Sequence, residues 1–258
     1  MARERKTRME FFDCNCFIGL PTNRIPRPVR TAEELLAAMD RSGIAKALVW
    51  HVIQRDDTPV LGNRMLAEAI APHRGRLCGC WTILPTSTRE LPPPDEFFRQ
   101  MKAHNIRALR AFPAGFHGHN YLLRAEAVGG YLDQACAAGV PLLASGIDYP
   151  TLYDLMADFP KLTCVLCDVG QWGPDRWFRP LLEKYPNFHL EIGSYVLAGG
   201  LADLVRTYGA GRLLFGTNFP SHDHGGMMLT LRHAEMAEAD KAAIASGNLE
   251  RLLQGPRP

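Results

Sequence analysis

Residues 11–19 read FFDCNCFIG and residues 214–220 read LFGTNFP. Each falls in a short apolar run of strand character, and six similar runs lie between them. Together they predict strands at 9–16, 44–51, 77–83, 106–112, 140–145, 162–168, 188–193 and 213–218. Amphipathic helical patterns alternate with them at 32–41, 60–73, 95–104, 122–138, 152–159, 176–185 and 201–208, and a last one closes the chain at 239–253. Thr31 with Glu34 makes a capping-box pattern, and Gly43, Gly139 and Gly209 sit just past helix ends. Eight strands, each followed by a helix, with no linker-like stretch, is the count of a (β/α)8 barrel. An open doubly wound sheet shares the alternation but usually carries a glycine-rich phosphate turn after its first strand, and none is present. The expected architecture is α/β: a single (β/α)8 TIM barrel over residues 9–258, preceded by a flexible, solvated tail at 1–8.

The bulk numbers fit this class. The chain has 258 residues, 47% hydrophobic and 22% charged, enough for a large buried core. A net charge of +2 gives no electrostatic reason to expect nucleic acid or an acidic membrane as partner. The opening MARERKTRME is basic, but no apolar core of a secretory signal follows it, and no apolar run is long enough to span a bilayer. A cytoplasmic location is the expectation. The seven cysteines are odd in number and lie mostly in apolar runs, which favours reduced, buried thiols over a disulfide framework. The pairs Cys14/Cys16, Cys78/Cys80 and Cys164/Cys167 invite a zinc reading. Zinc clusters sit on turns with wider spacing, however, so structural thiols are expected.

In a barrel of this kind the chemistry sits at the carboxyl ends of the strands. Alternation groups Phe11, Asp13, Asn15 and Phe17 on one face of the first strand, with Cys14 and Cys16 on the other. The second strand ends in His51, either a general acid–base or a loop-edge histidine satisfied by backbone. Of Arg107 and Arg110, the strand-end Arg110 is favoured as a planar clamp for an anion over a structural ion pair. Asp168 closes the sixth strand, where an unpaired buried charge is costly. It is read as functional or network-forming, against a simple helix cap. An inward Glu191 on the seventh strand must be paired or protonated. Asn218 ends the eighth, and His222 and His224 follow on a glycine-rich stretch, as metal ligands or as solvated surface. Residues 115–120 form a loop suited to covering the barrel mouth.

The two quoted segments resemble signatures of the amidohydrolase-related family, D-x-H-x-H-x-G on strand one and (L/I)-(F/L)-G-(S/T)-D-(F/Y)-P on strand eight. Gly247-Asn248-Leu249 is similar to the family's closing motif, so the resemblance spans nearly the whole chain. It implies that the Asp13/Asn15 face is the barrel interior and that Cys14 and Cys16 face the helices. It also implies a divalent metal that generates hydroxide from water. The positions that would hold this metal carry Asn15, Phe17, Ser145, Asp168 and Asn218. Only Asp168 among them is a strong ligand, so the inherited metal site is expected to be lost.

Three functions remain open. The first is a metal-independent, lactonase-like hydrolase of a small carboxylated substrate such as a cyclic ester or amide. Asp13 or Asp168 would be its base, with Asn218 and His51 assisting catalysis. Asn15, Arg110, Glu191 and His222 would bind substrate. The second is a rebuilt oxygen-rich site for manganese or magnesium on Asp13, Asp168 and His51 or Glu191. The family includes decarboxylases, so a lyase reaction stays open under either. The third is a ligand-binding barrel without catalysis. A homodimer is a further implication of the resemblance.

Overall fold

The computed structural model describes residues 9–113, 118–170 and 175–254. The expected tail at 1–8 and residues 115–117 of the expected mouth loop lie outside the described residues. Eight parallel strands pair in chain order: β1 (Phe12–Ile18), β2 (Lys46–His51), β3 (Leu77–Thr82), β4 (Ile106–Ala111), β5 (Leu142–Ala144), β6 (Cys164–Leu166), β7 (Phe188–Glu191) and β8 (Leu213–Leu214). The chain beyond β8 closes the barrel on β1. Cys14 N–H donates to Phe215 O at 3.0 Å, and Phe17 N–H donates to Phe219 O at 2.9 Å.

The helices are α1 (Ala32–Ser42), α2 (Ile53–Asp56), α3 (Pro59–Ile70), α4 (Pro94–Ala103), α5 (Ala125–Ala138), α6 (Tyr149–Asp158), α7 (Asp175–Lys184), α8 (Gly200–Tyr208), α9 (His224–His233), α10 (Glu238–Ala242) and α11 (Asn248–Leu253). At the start of α1, Thr31 Oγ1 accepts from Glu34 N–H as the capping box requires, while the Glu34 carboxylate reaches Arg30 N–H, one residue earlier than expected. Gly43 ends α1 in the left-handed conformation, φ 79°. The one long helix not foreseen is α9. Gly225 and Gly226 lower its helix propensity, but Met227, Met228 and Leu231 bury a stripe that holds it in place.

Alternate strand residues divide the core into two layers. Phe11, Cys16, Val49, Leu109, Leu166 and Phe215 pack outward with the helices. Phe12, Cys14, Phe17, Trp50, Ala108 and Leu214 belong to the smaller cluster inside the barrel. This corrects the expected phase of β1. Asp13 pairs with Ala47 of β2, but Cys16 pairs with Val49, so three residues of β1 advance against two of β2. Such a bulge exchanges the faces of everything beyond it. Phe11 and Asp13, before the bulge, lie outside the barrel and Cys14 inside. Asn15 and Phe17, at and after it, point inward, with Cys16 outward. All seven residues of β1 are buried, so composition offers no contrast from which to read the phase. Among the described residues no helix is long and apolar enough to cross a membrane, and all seven thiols are free.

Candidate active site

At the carboxyl ends of the strands one hydrogen-bonded chain runs across the barrel. The side chain of Arg110, on β4, is completely buried, and its Nη2 donates to Asn15 Oδ1 at 2.9 Å. Asn15 Nδ2 in turn donates to Asp168 Oδ1 at 3.3 Å, and Ser145 Oγ donates to Asp168 Oδ2. This order fixes the Asn15 amide, since its oxygen must face the guanidinium and its nitrogen the carboxylate. The β1 bulge is what delivers Asn15 here.

Arg110 lies against an aromatic wall. Its guanidinium carbon is 4.8 Å from the centre of the Trp50 ring and 5.7 Å from that of Phe112. Trp50 also packs on Phe17 at 4.9 Å and on Phe112 at 5.3 Å. The face of an aromatic ring attracts the cation but accepts no N–H hydrogen bond of ordinary strength. Arg110 Nε and Nη1 are buried and meet no oxygen or nitrogen acceptor; beside the guanidinium lies only the Cys80 thiol, a weak acceptor. These two atoms carry three of the five N–H donors of a guanidinium, and leaving them unmet is costly.

Behind Asp168 sits Glu191, also completely buried. Its Oε2 accepts from Asp168 N–H at 3.1 Å and its Oε1 accepts from Gly193 N–H. Gly216 makes room for it, because a Cβ there would stand 2.5 Å from Glu191 Cγ. Burial, and then the neighbouring Asp168 carboxylate, push Glu191 well above the usual carboxylate range, so it keeps its proton at neutral pH. Asp168 and Asn218 have positive φ, 55° and 53°. Asp and Asn tolerate this left-handed backbone better than other non-glycine residues, and such outliers gather at functional sites.

Glu191 makes stability pH-dependent. A carboxyl whose folded-state pKa exceeds its unfolded value contributes stability fully only below the unfolded value, and this is lost as pH rises through the folded one. Stability is expected to fall as pH climbs above 4.5, the ordinary glutamate value, by up to about 1.4 kcal/mol per pH unit. Glu191→Gln should flatten that slope. It should also cost about 1–3 kcal/mol in acid, because its amide nitrogen would face one of the two backbone donors. The curves of the two proteins should therefore converge as pH rises in urea denaturation. Parallel curves would show that Glu191 ionises normally.

Other residues expected at the site lie elsewhere. Asp13 is on the outer side of β1, accepting from the backbone N–H groups of Asn15 and Thr217 at 2.9 and 3.1 Å. His51 follows the inward Trp50, so alternation turns it outward. Its Nδ1 accepts from Ile53 N–H at 3.2 Å and its own N–H donates to Gln54 Oε1, the backbone-satisfied arrangement. Burial pushes the His51 pKa down. His222 is exposed, whereas His224 is buried at the start of α9, so the two do not face a common ion. Asn218 is half-exposed at the end of the eighth strand segment. Of the expected mouth loop, the described His119 is tied down, with its Nε2 2.8 Å from Gln54 O. Ser145 is expected only as a lost metal-ligand position, and Trp50 and Phe112 were not foreseen as site residues. The signal for Trp50 was the strand period itself, had the phase been set from Leu48 and not from the polar residue at the end.

The family sequence model described as amidohydrolase matches residues 19–255. The chain belongs to the amidohydrolase family. Similar solved structures include 5-carboxyvanillate decarboxylase from Sphingomonas paucimobilis, at 14% identity and a TM-score of 0.71, covering 96% of this chain and 100% of that one. A dihydroxybenzoic acid decarboxylase from Polaromonas sp. JS666, with bound manganese and the inhibitor 2-nitroresorcinol, is 16% identical, with a TM-score of 0.71 and coverage of 96% and 97%. A structure described as a 2-pyrone-4,6-dicarboxylic acid hydrolase from Pseudomonas putida is 14% identical, with a TM-score of 0.71 and coverage of 96% and 98%. At these identities the likeness is one of fold. No curated protein sequence matches the chain.

The barrel interior does not fit the family's divalent ion. Phe17 offers no donor atom, Asn15 Oδ1 is taken by Arg110, and the buried guanidinium would repel a dication held at the same mouth. Among the described residues, no group of three His, Cys, Asp or Glu donors gathers there.

Proposed function

We propose that the protein hydrolyses a small carboxylated substrate, a cyclic ester or amide, without a metal at the barrel mouth. The observation that carries this reading is the buried Arg110, whose Nε and Nη1 meet no oxygen or nitrogen acceptor and which lies one amide away from the Asp168 carboxylate. A substrate carboxylate meeting those donors would satisfy them and neutralise the charge. The aromatic wall of Phe17, Trp50 and Phe112 suits a flat ring. Asp168 is the base that takes a proton from the attacking water, held by Ser145 and Asn15. The Asn218 amide, at the strand-eight end, polarises the scissile carbonyl as negative charge develops on its oxygen. The names of the relatives, decarboxylases of aromatic acids and a pyrone dicarboxylate hydrolase, agree with a planar carboxylate.

Decarboxylation is the second reading, favoured by Glu191. Buried directly behind Asp168 and bonded to its backbone N–H, it can supply a proton through that residue to the carbon left when CO2 departs.

The test is a panel of flat cyclic esters, amides and hydroxylated aromatic acids, each bearing a carboxylate. Ring opening is followed by proton release and CO2 by mass spectrometry. Hydrolysis that persists after bound metal is removed, at a temperature where the protein stays folded, is the expected result. CO2 without hydrolysis would establish the second reading instead. A compound that raises the melting temperature but is never converted would make the barrel a binding protein.

A further inference from the structure

On the outer face of β1, where the chain from β8 passes and α9 begins, three side chains of ligand type converge. Asp13, Cys16 and His224 are all buried and each brings one donor atom, all within 4.8 Å of one another. They form the one such group among the described residues. His224 Nε2 stands 3.9 Å from Asp13 Oδ2 and has no hydrogen-bond partner, although the residue is only 1% exposed. The ring is held in place, stacked on Phe219 at 4.0 Å and 18°, with Nδ1 3.2 Å from Ser42 Oγ. A proton on Nδ1, donated to Ser42, leaves the Nε2 lone pair facing the carboxyl and the thiol. Metal-bound histidines are oriented in this way, the second nitrogen fixed by a hydrogen bond.

A histidine–aspartate ion pair is the competing explanation, and it is a poor one. The 3.9 Å between Nε2 and Asp13 Oδ2 is too long for a hydrogen bond, so the pair leaves the nitrogen unmet. An unpartnered buried nitrogen would then be retained at a cost with nothing in return.

We propose that Asp13, Cys16 and His224 bind a zinc ion that fastens β1 to the start of α9. Sulfur, nitrogen and carboxylate oxygen are the donors zinc takes. Tetrahedral zinc with bonds of about 2.0–2.3 Å sets its ligands roughly 3.3–3.8 Å apart. The 3.9 Å between His224 and Asp13 is close to that, and the wider gaps must close by at most about 1 Å. A water completes the set, and Thr217 Oγ1, which donates to Asp13 Oδ2, orients the carboxylate. A thiolate and a carboxylate together cancel the charge of the ion, so a neutral unit is buried where either anion alone would be unfavourable. Binding releases the thiol proton of Cys16 to solvent. The ligands are 0–1% exposed, which marks a structural site, separate from the barrel mouth.

Elemental mass spectrometry of untagged protein is expected to find one zinc per chain. Replacing it with Co²⁺ should give a thiolate-to-cobalt charge-transfer band in the near ultraviolet. Cys16→Ser should abolish that band, His224→Ala should lose the ion, and Asp168→Asn, at the barrel mouth, should keep both. Removing the ion should lower the melting temperature. Wild-type protein that takes up neither zinc nor cobalt overturns the proposal, a result that needs no variant to fold. So does an ion retained in both Cys16→Ser and His224→Ala, or one lost only with Asp168→Asn.

Discussion

Asp168→Asn is expected to lower kcat by about 10²- to 10⁴-fold, the range of a general base, with substrate affinity unchanged or improved. The geometry makes this substitution clean. Asp168 Oδ1 accepts from Asn15, and the carbonyl oxygen of the introduced amide would keep that bond. On the other side stands the Ser145 hydroxyl, a rotor that turns to accept from the new amide nitrogen as readily as it now donates. Asparagine also tolerates the left-handed backbone at this position, which alanine would strain. Only the charge and the proton-accepting capacity are lost. Removing a negative charge near an anionic substrate should, if anything, tighten binding. One consequence reaches beyond activity. The Asp168 charge helps hold the proton on Glu191, so the variant should lose stability less steeply at alkaline pH than wild type. Undiminished turnover on a substrate that wild type hydrolyses would remove Asp168 from the mechanism, and a large rise in KM with kcat unchanged would make it a binding residue.

The eight-strand count, and with it the barrel, was legible because each strand is a separate apolar run bounded by turn residues or helical period. What the runs conceal is phase. In a parallel barrel both faces of a strand are covered, so FFDCNCFIG has no polar face to declare its inside. The β1 bulge then splits one expected face into two. Asn15 goes to the barrel mouth, where it joins Arg110 and Asp168, while Asp13 goes to the outer layer beside His224. The same ambiguity drew attention to His51 when the inward residue is its neighbour Trp50. The inward placement of Arg110 was readable for the opposite reason. A planar cation inside an otherwise apolar strand has few structural uses, and alternation separates it from Arg107, which is exposed and bonded to Asn105. Side-chain pairings between neighbouring strands, such as Ser145 with Asp168 or Glu191 with the Asp168 backbone, join residues 23 positions apart. No local pattern carries them.

Arg110→Met is expected to separate binding from stability. Truncating one partner of a buried, hydrogen-bonded charge pair costs about 2–5 kcal/mol. That is roughly a 30-fold to several thousand-fold loss of affinity for the carboxylated substrate. The protein without ligand should respond differently. Wild type keeps a guanidinium out of water with one hydrogen bond to an oxygen and a weak one to the Cys80 thiol. Methionine has comparable length and an apolar surface suited to Trp50 and Phe112. It removes the desolvated charge while giving up the bond to Asn15, worth about 1.5–3 kcal/mol as a charged hydrogen bond. These contributions oppose each other, so stability in denaturant should be unchanged or slightly higher. Arg110→Lys should recover little affinity, because an ammonium is a point charge that cannot lie flat on Trp50 while reaching both Asn15 and a ligand. A shortened substrate lacking the carboxylate should bind wild type and Arg110→Met equally. Should Arg110→Met unfold the barrel while leaving KM intact, Arg110 would be a structural cation, and the carboxylate specificity would have to come from another part of the mouth.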